Sequence, residues 1–268
     1  MTRPLTPAPA PSFARTVLTL ATLTFREALG DHYLEICAAV ACLMTLLSMT
    51  ASEVAIFAHN RVMVDFALTA MTLTPLAVSM GASQAIMGQD LGGCAASALL
   101  SRPLSRGTWL MGRFVGLWAL VLAMVALMAA IFLAVMVALG VPVTPALLWA
   151  MALVPVECTI AKAIAMGLRC MSHRTVAAAT AVLFAGSGYM TLNLAELNQQ
   201  KYGPVAATCV RAVQAVVPQM QRINLRALAA QEGEVPEGFV MYAVLYGAGY
   251  SAAALMLGAW ALRRRKAL

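Results

Sequence analysis

Charged side chains are scarce in this sequence. Asp, Glu, Lys and Arg together make up 11% of the 268 residues, whereas hydrophobic residues make up 62%. Soluble domains carry about 25% charged residues, so the composition excludes an ordinary soluble protein and indicates an integral membrane protein. The formal net charge of +7 is assigned to membrane topology and anionic lipid head groups, and nucleic acid is not an expected partner.

Several patterns that carry chemistry are also missing. The six cysteines form no CxxC pair and are interpreted as small buried apolar residues. His32, His59 and His173 do not reach ligand spacing with a cysteine or carboxylate, so no metal site is predicted. The sequence has neither a G-x-x-x-x-G-K-[ST] motif nor a convergent Ser and His set at bilayer depth. We therefore expect no enzyme activity and no cofactor on this chain.

What the sequence does have is long uncharged intervals. A transmembrane helix needs roughly 20 apolar residues, and the longest interval, 114–156, is twice that length but is interrupted by GVPVTP at 140–145. Because Gly and Pro break helices, this interval is split in two. The fold class is therefore predicted to be an all-α integral membrane protein with a single domain at 13–268. Its six transmembrane helices are placed at about 34–52, 64–88, 113–139, 146–168, 175–195 and 238–262.

The basic residues predict the orientation of these spans, since Lys and Arg near span ends accumulate on the cytoplasmic side. One set of connections is much richer in them, and it includes both ends of the chain. We therefore expect both termini in the cytoplasm. The Pro- and Ala-rich residues 1–12 lack an apolar signal core and are predicted to be a disordered tail. The richer set contains Arg3, Arg15, Arg26, Arg102, Arg106, Arg113, Arg169, Arg174, Arg263, Arg264, Arg265 and Lys266.

Three segments outside the spans carry local signals. In ASALLSRPLSRGTWLMGRF, 96–114, Pro103 ends one helix and Ser105 is a candidate N-cap for the third span, so a short cytoplasmic helix is predicted at about 90–106. Residues 204–219 have the apolar spacing of an amphipathic helix on the external surface before span six. Residues 19–35 mix polar and apolar side chains and are expected to lie along the inner membrane interface.

Ionisable residues within the spans are few enough to consider singly. Glu157 lies near the middle of span four, where a charge is costly, so it is a candidate pathway or subunit-interface residue. The alternative is an interhelical hydrogen bond. Lys162 is expected to extend its amine to the inner boundary of the membrane. Pro75 and Pro155 are interpreted as helix kinks, and the small residues of 247–260 are expected to allow close helix packing.

The segment QDLGGCAASALLSRPLSRGTWLMGRFVGL, 89–117, resembles the cytoplasmic signature of ABC-2 type exporter permeases, in particular the branch with permeases of copper-enzyme maturation exporters. Further similarity lies in LTFREALGD, 23–31, with Arg26 and Glu27 on an inner-interface helix, and in VVPQMQRINLRALAA, 216–230. Gly92, Gly93, Cys94 and Ala95 depart from the family pattern. The matching residues in the signature are Asp90, Leu99, Leu100, Ser101, Arg102, Pro103, Ser105, Arg106, Gly112 and Arg113.

The resemblance implies a function and a set of partners. In this family the loop helix is a coupling helix that docks on a separate ABC ATPase. It implies ATPase-coupling roles for Asp90 and Ser105, for Arg106, and for residues 99–103, with ATP and magnesium held by the partner. It further implies export across a bacterial cytoplasmic membrane. Because six spans are too few to enclose a large substrate path, we expect a dimer with a second copy or a related permease. The small and aliphatic residues of the spans, with few charges, favour a lipid-like or amphipathic cargo.

Two other functions stay open at this point. One is an ATP-independent carrier or channel, for which paired discontinuous helices in two halves would be expected; no convincing internal repeat is found. The other is a degenerate permease that anchors an ATPase to the membrane without transport. The departure of residues 92–95 from the family pattern keeps this alternative open.

Overall fold

The computed structural model describes residues 13–54, 59–91, 105–201, 217–231, 233 and 235–264. In this part of the chain all regular structure is helical. The helices are α1 (Phe13–Gly30), α2 (Tyr33–Val54), α3 (His59–Leu91), α4 (Arg106–Ala138), α5 (Pro145–Met171), α6 (Arg174–Lys201), a 3₁₀ helix (Met220–Ile223), α7 (Arg226–Ala230) and α8 (Phe239–Arg264).

Five of these helices, α2, α3, α4, α5 and α8, are long and apolar enough to cross a membrane. The prediction of an all-α membrane protein is confirmed at this level. Helix α6 covers the predicted fifth span at 175–195 but is not among the five. The long helices overlap the predicted ranges, and the number of crossings stays a prediction.

The connection after span two differs from the prediction at its edges. Helix α3 continues through Asp90 to Leu91, and α4 begins at Arg106. The two end residues of the short helix predicted at about 90–106 therefore belong to the flanking long helices. Its interior, 92–104, lies outside the described residues, as do the predicted tail at 1–12 and residues 204–216 of the external helix predicted at 204–219.

The break between α4 and α5 lies between Ala138 and Pro145, as predicted from the Gly and Pro residues of 140–145. Gly140 adopts a left-handed conformation with φ of +70°, which glycine tolerates without steric cost. Thr144 then caps α5 by accepting a hydrogen bond from the Leu147 amide at 3.3 Å, and Pro145 occupies the first turn. Proline is suited to that position because the amide hydrogen it lacks would have no helical partner.

Helix α5 lies at the centre of the bundle: 72% of its membrane-length window is buried, compared with 22% for α2 and for α8. Helix α8 packs closely against it through small residues. A Cβ atom added at Gly167 would lie 2.8 Å from the Ala254 carbonyl oxygen, and one at Gly247 would lie 2.4 Å from a Val156 methyl group. The close packing expected from 247–260 is confirmed.

Contacts between helix ends define two ends of the bundle. At one, which we call the basic end, Gly88 of α3 lies beside Arg169 and Arg174, and the Arg106 guanidinium donates to the Leu262 carbonyl oxygen of α8. The opposite end brings Asn60 together with Pro142, Thr144 and Ala230 around a small cavity. Helices α3, α4 and α5 therefore alternate in direction.

Candidate functional site at the basic end

A buried arginine connects three helices beside the 92–104 segment. Arg113, on α4, is only 5% exposed. Its Nε and Nη2 donate to the two carboxylate oxygens of Asp90 on α3, at 2.8 and 2.9 Å. Its Nη1 donates to the Glu27 carboxylate and, at 3.0 Å, to the Thr24 hydroxyl, both on α1. We call these four residues the arginine cluster.

The electrostatics of the arginine cluster favour a fixed geometry. The Asp90 side chain is 11% exposed and the Glu27 side chain 42%, so the pair with Asp90 is the more desolvated. A planar guanidinium matches a carboxylate in two parallel hydrogen bonds, which a lysine amine does not reproduce. Removing one partner of such a buried pair costs about 3–5 kcal/mol, because the other charge is left uncompensated.

Glycines bring α1 close enough to reach this arginine. A Cβ atom added at Gly112 would lie 2.5 Å from the Leu20 Cβ atom, and one at Gly116 would lie 2.6 Å from the Ala21 carbonyl oxygen. Two glycines four residues apart give a helix face that admits another backbone, as in membrane helix pairs. Sequence reasoning assigned Gly112 and Arg113 to the start of span three and missed this contact. The signal was present in the spacing of GRFVG, 112–116.

The other predicted coupling residues fall into separate groups. Ser105 accepts a hydrogen bond from the Thr108 amide at 3.1 Å, which confirms it as the N-cap of α4. Arg106 binds the end of α8 rather than the arginine cluster. Arg26 is exposed although its neighbour Glu27 belongs to the cluster. Leu99, Leu100, Ser101, Arg102 and Pro103 lie outside the described residues.

Glu157 lies in a second polar network, toward the opposite end. It is 2% exposed and accepts a hydrogen bond from the Tyr189 hydroxyl of α6 at 2.6 Å. Asn224 also hydrogen-bonds to it, and the charge of Arg226 acts on it. Arg226 in turn donates to the Thr69 hydroxyl of α3 at 2.8 Å. The structure therefore places Glu157 in an interhelical hydrogen bond within one chain, which was the alternative to a pathway role.

The prediction that Lys162 extends its amine to the inner boundary of the membrane is wrong. Its side chain is fully buried instead of extending to a membrane boundary, and its Nζ atom lies 4.5 Å from the centre of the Phe114 ring. Among the described residues this amine has no hydrogen-bond partner. Nine residues separate Lys162 from the end of α5 at Met171, roughly 14 Å along the helix, and this distance explains the error.

No group of three or more His, Cys, Asp or Glu side chains in the described ranges could hold a metal ion. No protein-family model matches the chain, and none of the curated proteins matches it. The fold defines the class, an all-helical protein with membrane-length helices.

Proposed function

We propose that this chain is the membrane-spanning permease subunit of an ATP-driven ABC-2 type exporter. It works as a dimer with a second copy or a related permease, and its ATPase subunits are separate chains. The cargo is lipid-like or amphipathic. The basic end faces the cytoplasm of a bacterial cell, so that both termini lie inside. The observation that carries the proposal is the ion pair of Arg113 with Asp90, which joins the two helices on either side of the 92–104 segment.

The arginine cluster suits the transmission of a mechanical load. Asp90 lies in the last turn of α3, just before the segment, and Arg113 lies near the start of α4, after it, so a displacement of 92–104 would act on both helices together. The contacts of Arg113 with Glu27 and Thr24 extend that connection to α1. Switching a transport pathway requires a discrete element whose two arrangements differ by a few kcal/mol and which a binding event displaces. We propose that the helices joined by the Arg113 guanidinium move together as this element.

The structure also supports a division among the proposed coupling residues. Asp90 forms an ion pair within the chain, Ser105 caps α4, and Arg106 holds α8. Their side chains support the base of the segment. The surface that meets the ATPase is accordingly proposed to be 99–103, with Arg102 as its charged contact. Complementary charges at an interface mainly control recognition and the rate of association.

The test compares two charge reversals on the basic end. Arg102→Glu changes the proposed contact, and Arg174→Glu is the matched control, since Arg174 is exposed at the start of α6 outside the segment. The tagged permease is purified from native membranes, and the co-purified ATPase and bound lipid are identified. We expect Arg102→Glu to reduce ATPase recovery roughly tenfold, the effect of about 1.4 kcal/mol, and Arg174→Glu to leave it near the wild-type level.

Three outcomes separate the possible functions. Undiminished ATPase recovery and cargo movement with Arg102→Glu would contradict the coupling role of the segment. Cargo movement in membranes that lack any nucleotide hydrolase would identify an ATP-independent carrier. ATPase recovery from the wild type without any cargo movement would identify a membrane anchor for the ATPase.

A further inference from the structure

An open groove lies at the opposite end of the bundle, between the first turns of α5 and α8. Its volume is about 590 Å³, within the range of about 300–1,000 Å³ usual for sites that bind small molecules. Trp149 lines it from α5, and Val240, Met241, Val244 and Leu245 line it from α8. Glu237 and Gly238 complete the lining where α8 begins.

The body of the groove suits an aliphatic chain. Met241 and Leu245 are 69% and 65% exposed, and Trp149 is 45% exposed. These residues lie within the first turns of helices long enough to cross a membrane. Tryptophan is enriched at that depth because its ring is apolar with one polar edge. A bilayer acyl chain lying between α5 and α8 would cover these side chains.

The charges around the groove select the head group of its occupant. Glu237 is exposed and lines the groove. The sequence has no Lys or Arg between Arg226 and Arg263. A positively charged group is therefore attracted to this end of the groove, and no lysine or arginine of this stretch competes for the carboxylate.

The start of α8 provides the complementary half of a zwitterionic head group. Within the described part of the chain, the amides of Val240 and Met241 have no backbone acceptor, and both residues line the groove. Free amides at a helix N-terminus, together with the helix dipole, favour a phosphate. The first turn of α8 itself contains no acidic side chain, and the ammonium group of the same lipid offsets the charge of Glu237, which lies two residues before that turn.

We propose that this groove binds a bilayer phospholipid whose head group carries a primary amine. The acyl chain lies along Trp149 and Leu245, the phosphate lies at the first turn of α8, and the ammonium group donates hydrogen bonds to the Glu237 carboxylate. A choline head group lacks the N–H donors, and a glycerol head group lacks the positive charge. The site belongs to this chain alone and does not depend on the exporter proposal.

The experiment measures lipid retention by the full chain purified in detergent. Phosphatidylethanolamine, phosphatidylcholine and phosphatidylglycerol with identical acyl chains are offered separately, and bound lipid is counted by native mass spectrometry. Glu237→Gln tests the carboxylate, and Glu35→Gln is the matched control, since the Glu35 side chain is 77% exposed at the basic end. Val244→Trp fills the groove and tests the acyl-chain position.

We expect the ethanolamine lipid to be retained roughly threefold better than the other two, which is the scale of an exposed charge pair. Glu237→Gln should remove that preference, Glu35→Gln should keep it, and Val244→Trp should lower retention of all three lipids. Lipids with brominated acyl chains should also quench tryptophan fluorescence of the wild type. Trp149→Phe should reduce that quenching, because Trp149 lines the groove. Equal retention of the three lipids, or a preference unchanged by Glu237→Gln, would overturn the proposal whether or not an ATPase co-purifies.

Discussion

The Arg113 guanidinium and the Asp90 carboxylate meet in two parallel hydrogen bonds of 2.8 and 2.9 Å at the base of the 92–104 segment. The two residues belong to different long helices, α3 and α4. Because Glu27 and Thr24 bind the same guanidinium, one side chain holds three helices in register at the basic end.

Replacing Arg113 with Met should destabilise the folded chain by about 3–5 kcal/mol, since Asp90 is left as a buried unpaired charge. Arg113→Lys should recover only part of this, because an amine does not form the two-point contact. Unfolding in detergent followed by circular dichroism gives the measurement. Arg222→Met, at an exposed position, is the control. A double-mutant cycle with Asp90→Asn should show a coupling energy of at least about 1 kcal/mol, and additive effects would contradict the pairing.

The contact between α1 and α4 should be sensitive to a single methyl group. Gly116→Ala places a Cβ atom 2.6 Å from the Ala21 carbonyl oxygen, whereas a Cβ atom at Gly107, also on α4, meets nothing within 4 Å. We expect Gly116→Ala to lower stability by about 1–3 kcal/mol through overpacking. Gly107→Ala should be neutral or stabilising, since alanine is the better helix former. Proteolysis of α1 reports detachment, and equal cleavage of both variants would refute the close approach.

Lys162→Met should stabilise the protein, by about 1–3 kcal/mol on the scale for buried polar groups without a partner. Methionine is similar in length and lacks the amine, which has no hydrogen-bond partner in the described part of the chain. Lys162→Arg should destabilise it, because a larger charged group enters the same buried position. The measurement is the melting temperature of each variant compared with that of the wild type in the same detergent. A lower melting temperature for Lys162→Met would show that the amine has a favourable partner.

Tyr189→Phe should loosen the segment containing the 3₁₀ helix and α7. The Tyr189 hydroxyl donates to Glu157 at 2.6 Å, and Asn224 and Arg226 of that segment act on the same carboxylate. Removing the hydroxyl leaves a buried Glu157 oxygen without its donor, which costs about 1–3 kcal/mol. Limited proteolysis should cut 217–231 faster in this variant than in Tyr242→Phe, whose ring is exposed. Identical cleavage rates would argue against Glu157 as the anchor of the segment.

The turn between α1 and α2 should respond to pH through His32. Its imidazole lies 3.0 Å from the Glu35 carboxylate, and the hydrogen bond to Glu35, followed by the charge of Glu35, raises the pKa of His32 above its ordinary value of 6.5. The folded state therefore favours the protonated ring, so this contribution to stability is present below pH 6.5 and is lost as pH rises through the raised pKa. Glu35→Gln should return the pKa toward 6.5 in an NMR titration. An unchanged titration curve would exclude the pairing.

Some parts of the site were predictable from local spacing and others were not. Ser105 followed from the sequence because an N-cap depends on residues three positions apart. The family resemblance singled out Asp90 and Glu27, but it did not predict that both carboxylates pair with Arg113. The pairing spans 86 and 23 positions in the sequence, and no periodicity within one helix reports which face meets another helix.

The sequence by itself determined the class of this protein: its apolar runs, broken at Gly140 and Pro142, are long enough for transmembrane helices, which satisfy their own backbone hydrogen bonds in lipid. It also determined which connections are basic. The tertiary structure alone decided that Lys162 is enclosed, that Glu157 binds Tyr189, and that Arg113 joins α1, α3 and α4. These outcomes depend on helix rotation and close approach at residues such as Gly116, and both are decided by packing between distant segments rather than by local sequence.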